Sequence, residues 1–426
     1  MADDKIYLAE DILLKIGDER QGYNDNVLVF GQTGSGKTFS INIPTALHLK
    51  ESSCVMAFSK RKDAEMMLEN FTDKGYEVID LNFAEPSKSK VVFDPLNYIE
   101  TSEDAINLAN TIIENGKDIS FSGDPYWLLT AESLCTALIC AITMPDISEA
   151  KIKPHLAKDP RCSFSELITM SQMLMSRKEV DGRMVCELDK VFIKIEELFG
   201  NCLAVQSYNV IRGLSMKTAT CIVSQVVSSI NAYVSQSVID MMRSDTERLD
   251  FKKLGRKRTA LIITTSPVNK ALNSYLALMY TQMFKALYED AEKNGGRLDN
   301  RVMVFVDDCG QNRIEGLQNH ISVFREAGIS TVMFLQSEEQ LKAMYGDKAN
   351  IIKDNSGTIA YFTGSQNLST CEGISKRIDR PLNEVLSMPI GNIIICRNGQ
   401  HPVTVPRYKT LEDALYRECY GERDCR

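Results

Sequence analysis

The sequence lacks any long apolar run. The longest one, residues 134–144, is well short of the roughly 20 residues that a helix needs to cross a bilayer. Residues 1–20 carry charges throughout and contain no secretory signal. We therefore expect a soluble chain without a membrane span. Its expected location is the cytoplasm, or the cytoplasmic face of a membrane if partners or an anchor outside this sequence hold it there.

The sequence also lacks paired cysteines and an excess of positive charge. Its 12 cysteines are scattered without a C-x-x-C pair, which is typical of reduced, buried thiols in a cytosolic protein. The 49 basic and 57 acidic residues give a formal charge of −8, so any contact with DNA must be local. The basic run at residues 252–258 fits a solvated turn better than a nucleic-acid patch.

The stretch NVLVFGQTGSGKT, residues 26–38, is a phosphate-binding pattern in the context of strand, loop and helix. Its glycines allow successive backbone N–H groups to turn inward around a phosphate chain, and the following helix, residues 38–49, adds its partial positive charge. Lys37 is expected to reach the β- and γ-phosphates and Thr38 to ligate magnesium. The predicted cofactors are ATP and Mg²⁺. The predicted nucleotide-binding residues are Gly31, Gln32, Thr33, Gly34, Ser35, Gly36, Lys37 and Thr38.

The order of strands and helices predicts an α/β fold with a mostly parallel sheet. Strand signals stop near residue 125 and resume near residue 249, which predicts an inserted all-α domain. The predicted domains are residues 1–124, the first part of the nucleotide-binding domain; 125–248, all-α; and 249–426, its second part.

Five details of this pattern are tested by the structure below. Residues 1–25 are predicted to form a short amphipathic element, and residues 91–98 a strand that ends in a proline turn. Single helices are predicted over residues 184–199, 216–242 and 316–327.

An acidic pair, Asp307 and Asp308, follows the apolar strand Val302–Val306. A buried parallel strand delivers carboxylates at its carboxyl edge, where nucleotide phosphates would lie. Asp307 is predicted to hold Mg²⁺ through water and Asp308 to polarise the attacking water. The alternative is a pair of plain helix N-caps.

Gln336 follows the next strand, and an amide there can sense the γ-phosphate or the attacking water; alternatively it makes an ordinary turn. Arg325 precedes that strand. It is either an ordinary cation at the end of a helix or an arginine finger for a neighbouring subunit, and the sequence weights these readings equally.

With these residues the chain resembles the type IV coupling proteins, ring-forming ATPases of conjugation and type IV secretion. The resemblance extends from residue 26 to about residue 380. Two segments match the borders of the all-α domain, DPYWLLTAESLCTALI and DTERLDFKKLGRKRTALIITT. The most specific segments are FREAGISTVMFLQSEEQLKAMYG and SGTIAYFTGSQNLSTCEGISKRI.

The resemblance implies a RecA-like P-loop ATPase that hexamerises around a channel and binds ATP between subunits. It implies delivery of a DNA substrate bound to a relaxase, or of a secreted protein, to the secretion channel, with single-stranded DNA favoured. By position, Lys37 and Thr38 match the phosphate loop, Asp307 the magnesium aspartate, Gln336 the glutamine sensor and Arg325 the candidate finger.

Three departures from the family pattern matter. Asp308 replaces the usual Glu, and a carboxylate withdrawn by about 1 Å can cost on the order of 100-fold in rate. The turn CGQNRIEG is remodelled, and the N-terminal transmembrane helices typical of the family are not in this sequence. The alternatives are therefore a nucleotide-binding recruitment module with slow or no hydrolysis, and a cytosolic DNA translocase. A small-molecule kinase is the least favoured reading.

Overall fold

A computed structural model describes residues 4–17, 24–115, 124–143, 164–176, 178–180, 183–233, 236–242, 245–266, 270–307 and 313–420. The chain forms two compact units. The first, here called the sheet unit, contains Met1–Glu85, Asp250–Pro267 and Met283–Arg426. The second, the helical unit, contains Pro86–Leu249 and Val268–Gln282. The three-part domain division given above stays a prediction.

The sheet unit is built on a nine-stranded sheet with strand order β13-β12-β11-β3-β10-β9-β4-β8-β5. The first two strands of the chain form a separate hairpin. The strands of the sheet unit are β1 Lys5–Ala9, β2 Ile12–Lys15, β3 Val27–Phe30, β4 Ser53–Phe58, β5 Glu77–Asn82, β8 Thr259–Thr264, β9 Val302–Val306, β10 Ile329–Leu335, β11 Thr358–Phe362, β12 Asn392–Arg397 and β13 Val403–Pro406.

The seven strands from β11 to β5 are all parallel to one another. In β3, β4, β8, β9, β10 and β11 every residue is buried. A parallel sheet covered on both faces needs such continuous apolar strands. The register pairs Phe30 of β3 with Leu335 of β10, and Met333 of β10 with Val306 of β9. The residues that follow these three strands are thereby brought to one edge of the sheet.

The other border of the sheet is antiparallel. Strand β12 pairs with β11 and β13 pairs with β12. Three of the four residues of β13 are exposed. The sequence analysis did not predict β13. It also missed the hairpin of β1 and β2, which stands in place of the predicted amphipathic element and buries Leu8 in the core of the sheet unit.

Helices cover the two faces of this sheet. The helix predicted over residues 316–327 is instead two short helices with a turn between them, so that prediction was wrong. The α-helices that lie in the sheet unit are Ile43–His48, Arg61–Asp73, Lys252–Arg256, Leu317–His320, Phe324–Ala327, Glu338–Tyr345, Ala349–Asp354, Leu368–Ile378, Leu382–Ser387 and Ala414–Tyr420. Helix Lys270–Lys293 contributes its first part to the helical unit and its second part to the sheet unit.

The basic run at residues 252–258 forms a short helix, Lys252–Arg256, and its exit, rather than a turn. Its cations are used within the sheet unit. Lys253 and Lys257 both pair with Glu77, and Arg256 Nη2 lies 2.8 Å from the Asp290 carboxylate. These ion pairs hold the residues before β8 against β5 and against helix Lys270–Lys293. The basic run therefore has a structural role.

The helical unit contains seven helices of its own among the described residues. The all-helical prediction was wrong in one place, because two short strands, β6 Lys178–Val180 and β7 Arg183–Val185, pair antiparallel. The sequence between them is Asp-Gly, a dipeptide typical of tight hairpin turns. The helices are Ser102–Asn115, Pro125–Thr143, Phe164–Met173, Glu187–Phe199, Leu203–Asn209, Met216–Asn231 and Gln236–Met242.

Three further expectations for this unit are corrected. The predicted helix over residues 216–242 is interrupted after Asn231. In addition, the helix predicted over residues 184–199 begins only at Glu187, because the residues before it form β7. Residues 91–98 do not form a strand: Val92 makes a single bridge to Arg248, and Asp94 caps the 3-10 turn Pro95–Tyr98 by accepting the Leu96 N–H. Proline at the start of that turn cannot supply an N–H to a strand ladder.

One described helix, Pro125–Thr143, is long and apolar enough to cross a membrane by length and composition. However, 61% of its most apolar window is buried inside the protein. The core helix of a globular protein meets the same two criteria, so this helix is weak evidence for a membrane span.

Candidate nucleotide-binding site

The loop that follows β3 has the backbone conformation that wraps a phosphate chain. Gly34 and Gly36 have φ of +81° and +88°, values that residues with a Cβ rarely adopt. A Cβ on Gly34 would meet no atom within 4 Å, so the loop is open at that point. Gly31, by contrast, has no positive φ. It is required for a different reason, because a Cβ there would lie 2.7 Å from Ser35 Oγ and 2.9 Å from Phe362 Cβ.

Lys37 folds back over its own loop. Its Nζ donates to the carbonyl oxygens of Gly31 at 2.5 Å and of Gln32 at 3.1 Å. The ammonium group therefore lies across the concave side of the loop, where it can exchange these carbonyl contacts for phosphate oxygens.

Thr38 and Asp307 meet although 269 positions separate them in the chain. The Thr38 hydroxyl donates to Asp307 Oδ2 at 2.5 Å, and Asp307 is 5% exposed. The contact exists because β3 and β9 flank β10 in register, so that the ends of both strands lie at one sheet edge. A hydroxyl and a carboxylate together offer the oxygen ligands that Mg²⁺ prefers.

The helix after the loop begins as a π-helix, Thr38–Asn42, and continues as the α-helix Ile43–His48. Ile43 donates its N–H to the Thr38 carbonyl, five residues back. Pro44 has no N–H to give to the next carbonyl, that of Phe39. The Thr410 hydroxyl donates to the Phe39 carbonyl instead, at 2.6 Å. A half-buried backbone acceptor near the loop is thus satisfied by a distant side chain.

Gln336 lies at the same sheet edge. The Gly31 N–H donates to the carbonyl of Leu335, the residue before Gln336, at 3.0 Å. The Gln336 side chain is exposed, and its backbone N–H donates to Gln340 Oε1 at 2.7 Å. The structure therefore brings together Lys37, Thr38, Asp307 and Gln336.

Arg325 is not brought to this edge. It lies in the short helix Phe324–Ala327, before the first residue of β10, whereas the loop lies beyond the last. The seven residues of β10 span about 20 Å at roughly 3.3 Å per residue, so Arg325 is at the opposite edge from its own phosphate loop. Asp308 lies outside the described residues.

The sequence analysis missed two contacts made by the antiparallel border of the sheet. Gln32 Nε2 donates to Ser365 Oγ at 3.2 Å, and Arg407 Nη1 donates to the Ser35 carbonyl at 3.0 Å. No motif marks Ser365 or Arg407, and 372 positions separate Arg407 from Ser35. The sequence around Arg407 contains no pattern that predicts this contact.

Comparison with known families now adds to this geometry. A family model described as "Type IV secretory system Conjugative DNA transfer" matches residues 7–381. The chain belongs to this family. No match was found among curated protein sequences.

Solved structures share the fold of this member of the conjugative DNA-transfer family. Plasmid coupling protein TrwB in complex with ADP and Mg²⁺ is 14% identical with a TM-score of 0.64, over 96% of this chain and 90% of that one. TrwBdeltaN70 in complex with sulphate is 16% identical, with a TM-score of 0.63 over 95% and 88%. VirB4 of Thermoanaerobacter pseudethanolicus is 13% identical, with a TM-score of 0.55 over 94% and 96%. The similarity confirms the predicted RecA-like α/β fold with a P-loop.

Proposed function

We propose that this chain is the ATP-driven motor of a conjugative DNA-transfer system, a coupling protein that delivers DNA to a type IV secretion channel. One observation carries the proposal. In a chain of the conjugative DNA-transfer family, the Thr38 hydroxyl and the Asp307 carboxylate meet at 2.5 Å beside the phosphate loop. Two oxygen ligands held together at a glycine-rich loop are what a magnesium nucleotide requires.

The residues present fit Mg²⁺ and ATP. Thr38 and Asp307 would hold the metal, and the open space at Gly34 leaves room at the loop. When bound, the metal supplies positive charge that neutralises the β- and γ-phosphates. TrwB has been solved with ADP and Mg²⁺ and with a non-hydrolysable ATP analogue, which supports the same ligands here.

The remaining residues have roles that follow from their position. Lys37 binds the terminal phosphates, and the loop from Gly31 to Thr38 orients them through its amides. Gln336, exposed at the same edge, contacts the attacking water or senses the γ-phosphate. Asp308 polarises that water. Arg325, at the opposite edge of the sheet, acts on a neighbouring subunit's nucleotide, since it cannot reach its own.

We further propose that the active form is a homo-hexamer that acts at the cytoplasmic face of the inner membrane. Its substrate is DNA, with single strands favoured, carried by a relaxase, or a secreted protein. In this proposal, residues 1–124 and 249–426 form the nucleotide-binding domain. Residues 125–248 form the all-α domain that faces the substrate. Its DNA contacts are local, because the net charge is −8.

The test is ATP turnover with and without single-stranded DNA, for the wild-type chain and for Lys37→Ala, at concentrations that include any assembled hexamer. We expect wild-type turnover that DNA stimulates, and a loss on the order of 100-fold or more in the variant, because no other described side chain replaces Lys37 at the phosphates. Absence of any Lys37-dependent turnover would exclude the motor. Nucleotide binding without turnover would instead favour a recruitment module, a reading that Asp308 in the Glu position also suggests.

A further inference from the structure

A segment near the C-terminus runs along the phosphate loop and its helix. Residues 407–413, here called the strap, follow β13 and contact this element at three successive points. Arg407 Nη1 donates to the Ser35 carbonyl at 3.0 Å, in the loop itself. The Thr410 hydroxyl donates to the Phe39 carbonyl at 2.6 Å, in the first turn of the helix. The third contact joins Asp413 to the end of the same helix, with Oδ2 at 2.8 Å from His48 Nε2.

The strap is itself held in place. The Arg407 N–H donates to the Gly391 carbonyl at 3.0 Å, and Arg407 bridges to Ala9 of β1. The Tyr408 hydroxyl donates to Asp413 Oδ2 at 2.6 Å. Because Arg407 is tied to Gly391 and to Ala9 of β1, its side chain presents a fixed surface to the loop rather than following the loop's movements.

The contact at Ser35 decides which way an important amide points. In a trans peptide the C=O of one residue and the N–H of the next point in opposite directions. With the Ser35 carbonyl held toward Arg407, the Gly36 N–H must point away from Arg407, across the loop. Gly36 is one of the residues whose N–H groups would wrap the phosphates, so the guanidinium fixes part of the phosphate cradle without touching its inner side.

The conformation of Gly36 fits this arrangement closely. Its φ of +88° already favours glycine, and a Cβ there would lie 2.7 Å from Arg407 Nη1. The guanidinium therefore packs directly against the Gly36 backbone. Arg407 is half-buried and permanently charged, so it also places a positive charge next to the loop where solvent screens it only partly.

We propose that Arg407 is a positioning residue for nucleotide binding, and that the strap holds the phosphate loop in its binding conformation. This inference rests on the proposed function for its ligand, a nucleoside di- or triphosphate. Its structural part concerns the loop alone. Thr410 and Asp413 support the helix that follows the loop. Their effect on nucleotide binding is smaller than that of Arg407, because they lie farther from the phosphates.

The experiment compares Arg407→Ala and Arg407→Lys with Arg258→Ala. Arg258 is a matched control, because its guanidinium also donates to a backbone carbonyl of the sheet unit, that of Lys50 at 2.9 Å, but this carbonyl belongs to neither the strap nor the loop. The first measurement is affinity for a fluorescent ADP analogue with Mg²⁺. The second is amide hydrogen exchange over residues 31–40 without nucleotide.

We expect Arg407→Ala to weaken ADP binding by about ten-fold, the usual effect of losing one charge-assisted hydrogen bond, and to speed exchange in the loop. Arg407→Lys should recover part of both effects, and Arg258→Ala should match the wild type. Unchanged affinity and exchange in Arg407→Ala would overturn the proposal, and so would an equal loss in Arg258→Ala.

Two outcomes need separate readouts. If the wild-type chain binds no nucleotide, the proposed function fails, and the exchange measurement alone decides on the strap. If Arg407→Ala does not fold, Thr410→Val replaces it, since this change keeps the side-chain shape and removes only the hydroxyl that serves Phe39. Faster exchange at residues 39–44 would support the strap, and wild-type exchange would contradict it.

Discussion

The parallel centre and the antiparallel border of the large sheet are built differently, yet both hold the phosphate loop. Every residue of β9 in the centre is buried, whereas three of the four residues of β13 at the border are exposed. The centre reaches the loop through Asp307, which accepts from Thr38, and the border through Arg407, which donates to Ser35. A sequence motif therefore identifies the contact that the centre makes with the loop, but not the contact that the border makes.

The largest expected difference between the two regions is in stability. Phe305 in β9 is 0% exposed, and Phe305→Ala should lower the free energy of unfolding by about 3–5 kcal/mol because it leaves a cavity between packed strands. Val403 in β13 is 42% exposed, and Val403→Ala should cost less than about 1 kcal/mol. Urea denaturation measures both. Similar losses in the two variants would contradict the division into a packed centre and a light border.

A smaller effect sharpens the comparison at the loop itself. Thr38→Val keeps the side-chain shape and removes the hydroxyl shared with Asp307, so we expect Mg²⁺-dependent ADP affinity to fall on the order of ten-fold. Affinity in the presence of EDTA should stay close to wild type. By contrast, Arg407→Ala should weaken binding under both conditions. If Thr38→Val weakens binding equally with EDTA, its role is not metal binding.

The smallest effect concerns the border at acidic pH. Burial acts to raise the pKa of Asp413, but the hydrogen bonds from Tyr408 and His48 outweigh it and lower the pKa below 3.8. A carboxylate with a lowered pKa stabilises the folded state above its unfolded value, and this stabilisation is lost as the pH falls through the folded pKa. Asp413→Asn should therefore cost about 1 kcal/mol at pH 7.

That cost should shrink as the pH falls toward and below 3.8, the ordinary value for an aspartate. Denaturation of both proteins along a pH series measures it. A difference that stays constant with pH would show that packing at this position, rather than the charge of Asp413, supports the strap.

The centre of the fold was predictable because its strands are continuous apolar runs. Strand β9 lies at its predicted residues, Val302–Val306, and β3 directly precedes the phosphate loop as predicted. Strand β13 was not found, because Val403–Pro406 is only four residues long, ends in proline and is mostly exposed. Over residues 316–327 apolar spacing continued through a turn, so periodicity could not locate the break between two short helices.

The site divides in the same way. The loop, Asp307 and Gln336 were found because each follows an apolar strand, and parallel strands align their ends at one edge. Arg407 was not found, because it depends on a pairing between the loop and a strand from the far end of the chain. Propensity and spacing describe short stretches, and such long-range pairings are set only by the complete fold.

The contacts of Lys37 with its own loop have a consequence for nucleotide binding. Since its ammonium already donates to Gly31 and Gln32, an arriving phosphate must compete with two backbone carbonyls. The net affinity for nucleotide then depends on the difference in free energy between the phosphate contacts and the carbonyl contacts of Lys37. The carbonyl contacts therefore offset part of the attraction between the lysine and the phosphates. The same carbonyls can receive the lysine again when a nucleotide dissociates, so they stabilise the loop that dissociation leaves behind.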